Sequence, residues 1–157
     1  MKHFILILVV SIVSIAASQA RLGETKEQCT ARYGPAIKVN RETDSLFFRK
    51  NGLTVMASFY EGKCHSIAYI KVETDALGQT AEFSDVEKTA LMEANSAGKA
   101  WSKRKAISLN SEWESDGGAV LAVYETLGHM LIVLTHDQYE RETAAKAAEE
   151  KKKLEGF

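Results

Sequence analysis

The sequence predicts an α+β protein. It reads as two tandem units, each a helix followed by a three-stranded antiparallel meander, joined into one sheet with helices on one face and a polar C-terminal helix beyond it. Three observations carry this reading. A capping-box spacing, in which two side chains each satisfy the other's orphan backbone N–H, occurs at Thr25/Gln28 and again at Ser84/Glu87. Each is followed by alternating segments broken by turn dipeptides, Asn51-Gly52 and Glu61-Gly62 first, then Asp116-Gly117 and Leu127-Gly128. The chain closes on "YERETAAKAAEEKKKLEGF", where both charge signs alternate and Glu142/Lys146 and Glu149/Lys153 stand four apart, as on an exposed helix.

The first residues, "MKHFILILVVSIVSIAASQA", combine Lys2, an apolar run from Phe4 to Ala17 and small residues before Ala20, the pattern of a secretory signal peptide over 1–20. The run is shorter than the roughly 20 apolar residues that span a bilayer, and no cysteine follows it to take a lipid. The expectation is an exported, soluble chain, periplasmic or extracellular, with no stable membrane anchor after cleavage. What remains fits a single domain over 21–136 with a charged helix and tail over 137–157. With 20 basic and 21 acidic residues and no basic concentration apart from the mixed-charge tail, composition offers nothing to a nucleic acid.

In the first unit, about 23–72, a helix opens at Thr25 and closes at Tyr33-Gly34-Pro35, because glycine accepts the left-handed conformation and proline cannot continue the ladder. With two-residue turns at 51–52 and 61–62, Phe48 should oppose Val55, Leu46 Ala57, Phe59 Cys64, and Val55 Ala68. Plain alternation then places Leu46, Phe48, Leu53, Val55, Ala57, Phe59, Cys64, Ala68, Ile70 and Val72 on the core face. The other face carries Phe47, Arg49, Met56, Tyr60, His65, Ile67 and Tyr69, a mixture enriched at protein interfaces. This is the candidate partner-binding surface, unless the C-terminal helix or the second unit covers it.

The second unit, about 84–136, repeats the order. A helix from Ser84 carries a stripe of Val86, Ala90, Ala94 and Ala97 and runs to Gly98. Laying its strands on those of the first unit matches Gly52 with Gly117, Val55 with Val120, Met56 with Leu121, Ala57 with Ala122 and Phe59 with Tyr124. Met130 to Leu134 is apolar throughout, which suits a central strand covered on both faces. Trp101 and Trp113 are read as core. The tail helix, capped by Asp137 and Glu140, lacks a bulky stripe and is read as solvated, its Leu154 and Phe157 able to fray or be captured.

Gly23-Glu24-Thr25, the short helix, Tyr33-Gly34-Pro35 and the meander resemble the repeat unit of the SmpA/OmlA outer-membrane assembly lipoproteins, and the tandem version resembles the β-lactamase inhibitor protein. That resemblance implies small helices on one face of an antiparallel sheet and a protein-binding role without catalysis, though the chain lacks the lipoproteins' lipidation cysteine. The whole exported part, with "FYEGKC" and "KKKLEGF", also resembles a group of short exported bacterial proteins.

Cys64-His65 raises the possibility of chemistry. Neighbours in a strand point to opposite faces, so the two do not form a dyad together. A nucleophilic or metal site would need His129 or His136, and the cysteines and histidines show no paired ligand spacing. Two cysteines in an exported chain, one on a helix and one on the sheet face beneath it, read instead as a disulfide, Cys29–Cys64. The expected function is an exported module that binds another exported or envelope protein, as an inhibitor or assembly accessory, without cofactor or catalysis. The competing class is a small hydrolase or metal-binding protein using His129 or His136.

Overall fold

Thr25 caps the first helix as its spacing requires. In the computed structural model, which describes residues 21–104 and 109–155, its hydroxyl accepts from Gln28 N and its own N–H donates to Gln28 Oε1. The expected signal peptide, Met1 to Ala20, and the tail residues Gly156 and Phe157 lie outside the described residues. Helix α1 (Lys26–Tyr33) ends on Gly34 at φ 92°, a conformation that favours glycine. A short strand β1 (Lys38–Asn40) leads into β2 (Ser45–Lys50), β3 (Leu53–Tyr60) and β4 (Lys63–Lys71). Asn51 and Gly52, at φ 50° and 75°, make the two-residue turn between β2 and β3, with Lys50 opposite Leu53.

Ser84 and Glu87 form the second capping box, opening α2 (Asp85–Glu93). Then come β5 (Trp101–Lys103), β6 (Ser111–Ser115), β7 (Val120–Glu125), β8 (Met130–Thr135) and α3 (His136–Leu154). All eight strands pair antiparallel in one sheet ordered β1-β2-β3-β4-β8-β7-β6-β5. Strand β8, apolar from Met130 to Leu134, is central, between β4 and β7, as its composition demands. The three-residue edge strands β1 and β5 extend each expected meander by one strand.

The main departure from the expected register is in β4. Phe59 faces Cys64, but the next pair is Ser58 with Ser66, so His65 is an extra residue, a β-bulge. Beyond it each position is one residue out of step with plain alternation: Ala57 pairs with Ile67 and Val55 with Tyr69 rather than Ala68. Ile67 and Tyr69 therefore belong to the face under α1 and α2, at 0% and 1% exposed, in one cluster with Cys29, Tyr33, Phe48 and Val55. Ala68 and Ile70 take the other face, and Val72 lies beyond the strand, largely exposed.

Two helical expectations also change. The stripe in α2 is not the buried one: Val86 is exposed, while Leu91 packs on the core and Met92, Asn95 and Ser96 are buried at helical spacing. The third helix begins at His136 rather than 137, and its N-cap is Thr135 rather than Asp137, the Thr135 side chain accepting from Gln138 N. Trp101 and Trp113 do pack against the core. No helix among the described residues is long and apolar enough to cross a membrane.

Candidate functional site

Helix α3 lies over the face of the sheet opposite α1 and α2, and it covers that face incompletely. Beside its first turns a groove of about 640 Å³ remains open above β2, β3 and β4. Alternation supplies the floor: Phe47 opposes Met56, Met56 opposes Ala68, and Ala68 opposes Ile132, which puts all four side chains in one row across four strands. Glu42 and Asp44 from the β1–β2 loop and Glu142 from α3 form the rim.

The bulge builds one end. In a plain strand His65 and Ser66 would point to opposite faces, yet both line the groove. The His65 ring meets Tyr60 edge-on with centroids 6.3 Å apart, and the Arg141 guanidinium of α3 lies 4.4 Å from the Tyr60 centroid. His65 Nδ1 is buried without a hydrogen-bond partner. Burial first, and Arg141 second, hold the His65 pKa below its usual 6.5, so the ring favours the neutral form. Asp44 is tied to Lys26 of α1, and Glu142 accepts from Gln138 Nε2 at 2.7 Å.

Of the seven residues proposed for a partner surface, Phe47, Met56, Tyr60 and His65 meet in this groove. Arg49 is exposed near the far end of β2, opposite Thr54. Ile67 and Tyr69 are not available to a partner: the bulge turns them into the core, where Tyr69 Oη accepts from Arg21 Nη1 at 3.0 Å and Asn95 Nδ2 at 3.1 Å. Sequence reasoning missed Ala68 and Ile132 of the floor and the acidic rim. The even-numbered residues of the all-apolar β8 were the available signal for the floor, and Tyr139, the lone aromatic of α3, for the face that α3 turns to the sheet.

Cys29 of α1 and Cys64 of β4 are fully buried free thiols in one core cluster, and the Cys29 thiol meets Glu24 Oε2 at 3.9 Å. Cys64 S–H also reaches Ser66 O at 3.5 Å, and its contact with Cys29 together with burial raises its pKa. Backbone bonds pin the segment before α1 to the same residue, Gly23 N to Cys64 O at 2.6 Å and Cys64 N to Glu24 O at 2.8 Å.

His129 and His136 flank β8 at its two ends, roughly 20 Å apart at strand rise. His129 contacts Thr80 O and lies 3.4 Å from Glu82, while His136 lies 3.2 Å from Glu140. Among the described residues no three His, Cys, Asp or Glu side chains gather as a metal site. No protein-family model, curated protein or solved structure matches the chain.

Proposed function

We propose that this is an exported protein-binding module, an inhibitor or envelope-assembly accessory, whose groove beside α3 holds a basic, partly apolar segment of another exported protein. The observation that carries it is the pairing of an apolar floor with an acidic rim: Phe47, Met56, Ala68 and Ile132 beneath Glu42, Asp44 and Glu142. A floor of this kind supplies anchor pockets, and the carboxylates select a cationic partner and speed its encounter. The test is capture from exported fractions with Phe47→Ala and Glu142→Lys beside the parent protein and Arg49→Ala. Loss of one specific partner in the first two variants, with melting unchanged, supports the groove. Equal capture by all four removes it.

The same reading includes two finer elements. The order helix, edge strand and three strands occurs twice, and the strand order reads alike from either edge, which supports two tandem repeats. Matched positions keep their faces: Val55, Ala57 and Phe59 share theirs with Val120, Ala122 and Tyr124. In an oxidising compartment, Cys29 and Cys64 would pass two electrons and two protons to an external disulfide oxidant and join, closing a loop worth about 3 to 4 kcal/mol in the chain-entropy account. Thiol labelling of denatured, unreduced protein checks this: both thiols protected until reductant is added is the expected result, and full labelling without reductant removes the bond.

A further inference from the structure

On the other side of the sheet, between α1 and α2, two adjoining clefts of about 600 and 160 Å³ share Arg21 and Arg32 as their common wall. The inner, smaller one is dominated by hydrogen-bond donors. Arg21, more than half buried, bonds Tyr69 and lies 5.8 Å from the Tyr33 ring centroid. Lys50 donates to Arg32 O and lies 5.9 Å from the same ring. Arg32 is engaged by Glu24, with both carboxylate oxygens 3.0 Å from Arg32 Nε. Neither Arg21 nor Lys50 pairs with a carboxylate among the described residues.

A second observation points the same way. Tyr69 Oη already accepts from Arg21 and from Asn95, so both its lone pairs are used and it can offer the neighbouring Tyr33 only its proton. The Tyr33 O–H, 6% exposed and lining the inner cleft, is then left with no acceptor in hydrogen-bond geometry. Among the described residues, two cations without a carboxylate partner and a buried hydroxyl without an acceptor surround one small space. Its remaining walls, Leu53, Val55 and Leu91, are apolar.

We propose that this inner cleft is a binding site for a small carboxylate with an apolar body, its oxygens taken by Arg21, Lys50 and the Tyr33 hydroxyl and its body laid against Leu53, Val55 and Leu91. The guanidinium fork suits a planar carboxylate, and the apolar walls distinguish this ligand from a bare inorganic anion. The site is separate from the groove beside α3, since the sheet lies between them.

Titration of the isotopically labelled protein with benzoate, followed by NMR, tests it. The expected result is saturable shifts centred on Arg21, Tyr33, Asn51 and Leu91, with affinity reduced about tenfold or more in Arg21→Gln and severalfold in Lys50→Gln. Arg49→Gln, outside the cleft, should bind as the parent does. Inorganic phosphate, charged but without an apolar body, should bind at least tenfold more weakly than benzoate. Arg21 supports Tyr69, so its variant is melted first; Lys50 is exposed, and its variant decides the matter should the other be unstable. Shifts scattered over the surface, binding undiminished in Lys50→Gln, or phosphate equal to benzoate would each overturn the proposal.

Discussion

The two faces of this sheet are made by the same strands and are packed in different ways. Under α1 and α2 the side chains interlock without exposure, Phe48, Ile67, Leu131 and Val133 all at 0%. Under α3 the inner row is buried at Leu121 and Leu134, but the row above β2 to β4 is left partly open as a groove with charged edges. The cause lies in the helices. Helices α1 and α2 are short and set Cys29, Tyr33 and Met92 into the sheet, whereas α3 has no buried residue and offers alanines and charges. One face holds the fold together, and the other leaves apolar surface open.

The largest expected effect breaks the first face. Tyr69→Ala removes a ring that is fully buried and hydrogen-bonded to Arg21 and Asn95, and should cost about 3 to 5 kcal/mol in urea unfolding. Tyr60→Ala, on the other face and half exposed, should stay within about 0.5 kcal/mol. Equal losses would erase the distinction between the faces.

Deleting His65 sharpens it. Without the extra residue, the pairs Phe59–Cys64 and Ser58–Ser66 become consecutive, so Ile67 and Tyr69 keep their places under the helices. The variant should fold with a loss of about 1 kcal/mol and with its near-ultraviolet dichroism retained. A molten or unfolded product would show that the bulge, rather than the pairing on either side of it, sets the register.

A smaller effect is read against pH. Because burial lowers the His65 pKa in the folded protein, the unfolded chain takes the proton first, and the associated stability is full above pH 6.5 and declines as pH falls below it. His65→Gln should flatten that decline in urea midpoints and leave neutral-pH stability nearly unchanged. Smallest is Glu87, whose pKa is brought to about 2 by Lys71 and by the Ser84 hydrogen bonds. Its contribution is present above the usual 4.5 and lost as pH falls through that value towards 2. The carboxylate is largely solvated, so Glu87→Gln should cost well under about 1 kcal/mol and only above that range.

Local chemistry was the readable part of this chain. Caps at Thr25 and Ser84 and turns at Asn51-Gly52 and Glu61-Gly62 depend on neighbouring residues alone, and the structure has each where its residues place it. The central position of β8 was legible for a similar reason, since only a strand covered twice can be apolar at every position. The bulge was not. Cys64-His65-Ser66-Ile67 alternates acceptably in either phase, and what decides between them is whether Tyr69 or Ala68 fills the space beneath α1 and α2, a matter of tertiary volume. Four of the groove's residues, Phe47, Met56, Tyr60 and His65, were therefore found, and two proposed members, Ile67 and Tyr69, were lost to the core. The acidic rim was hidden because it is assembled from a loop and a helix about a hundred residues apart, Asp44 and Glu142.

The seam between β4 and β8 has a consequence for how the molecule is made. Ser66 meets Leu134 and Ile70 meets Met130, partners separated by roughly 60 residues or more of chain, whereas every other strand pair joins near neighbours. Each half can assemble its own hairpins quickly, but until the seam closes both β4 and β8 are open edges with apolar side chains and unpaired backbone groups. The seam is thus the long-range pairing of the sheet, and open edges of this kind are ones that can join a second copy in place of their own other half. Among the described residues the joined sheet ends on the three-residue β1 and β5, each carrying a lysine, short charged edges that discourage pairing with a neighbour.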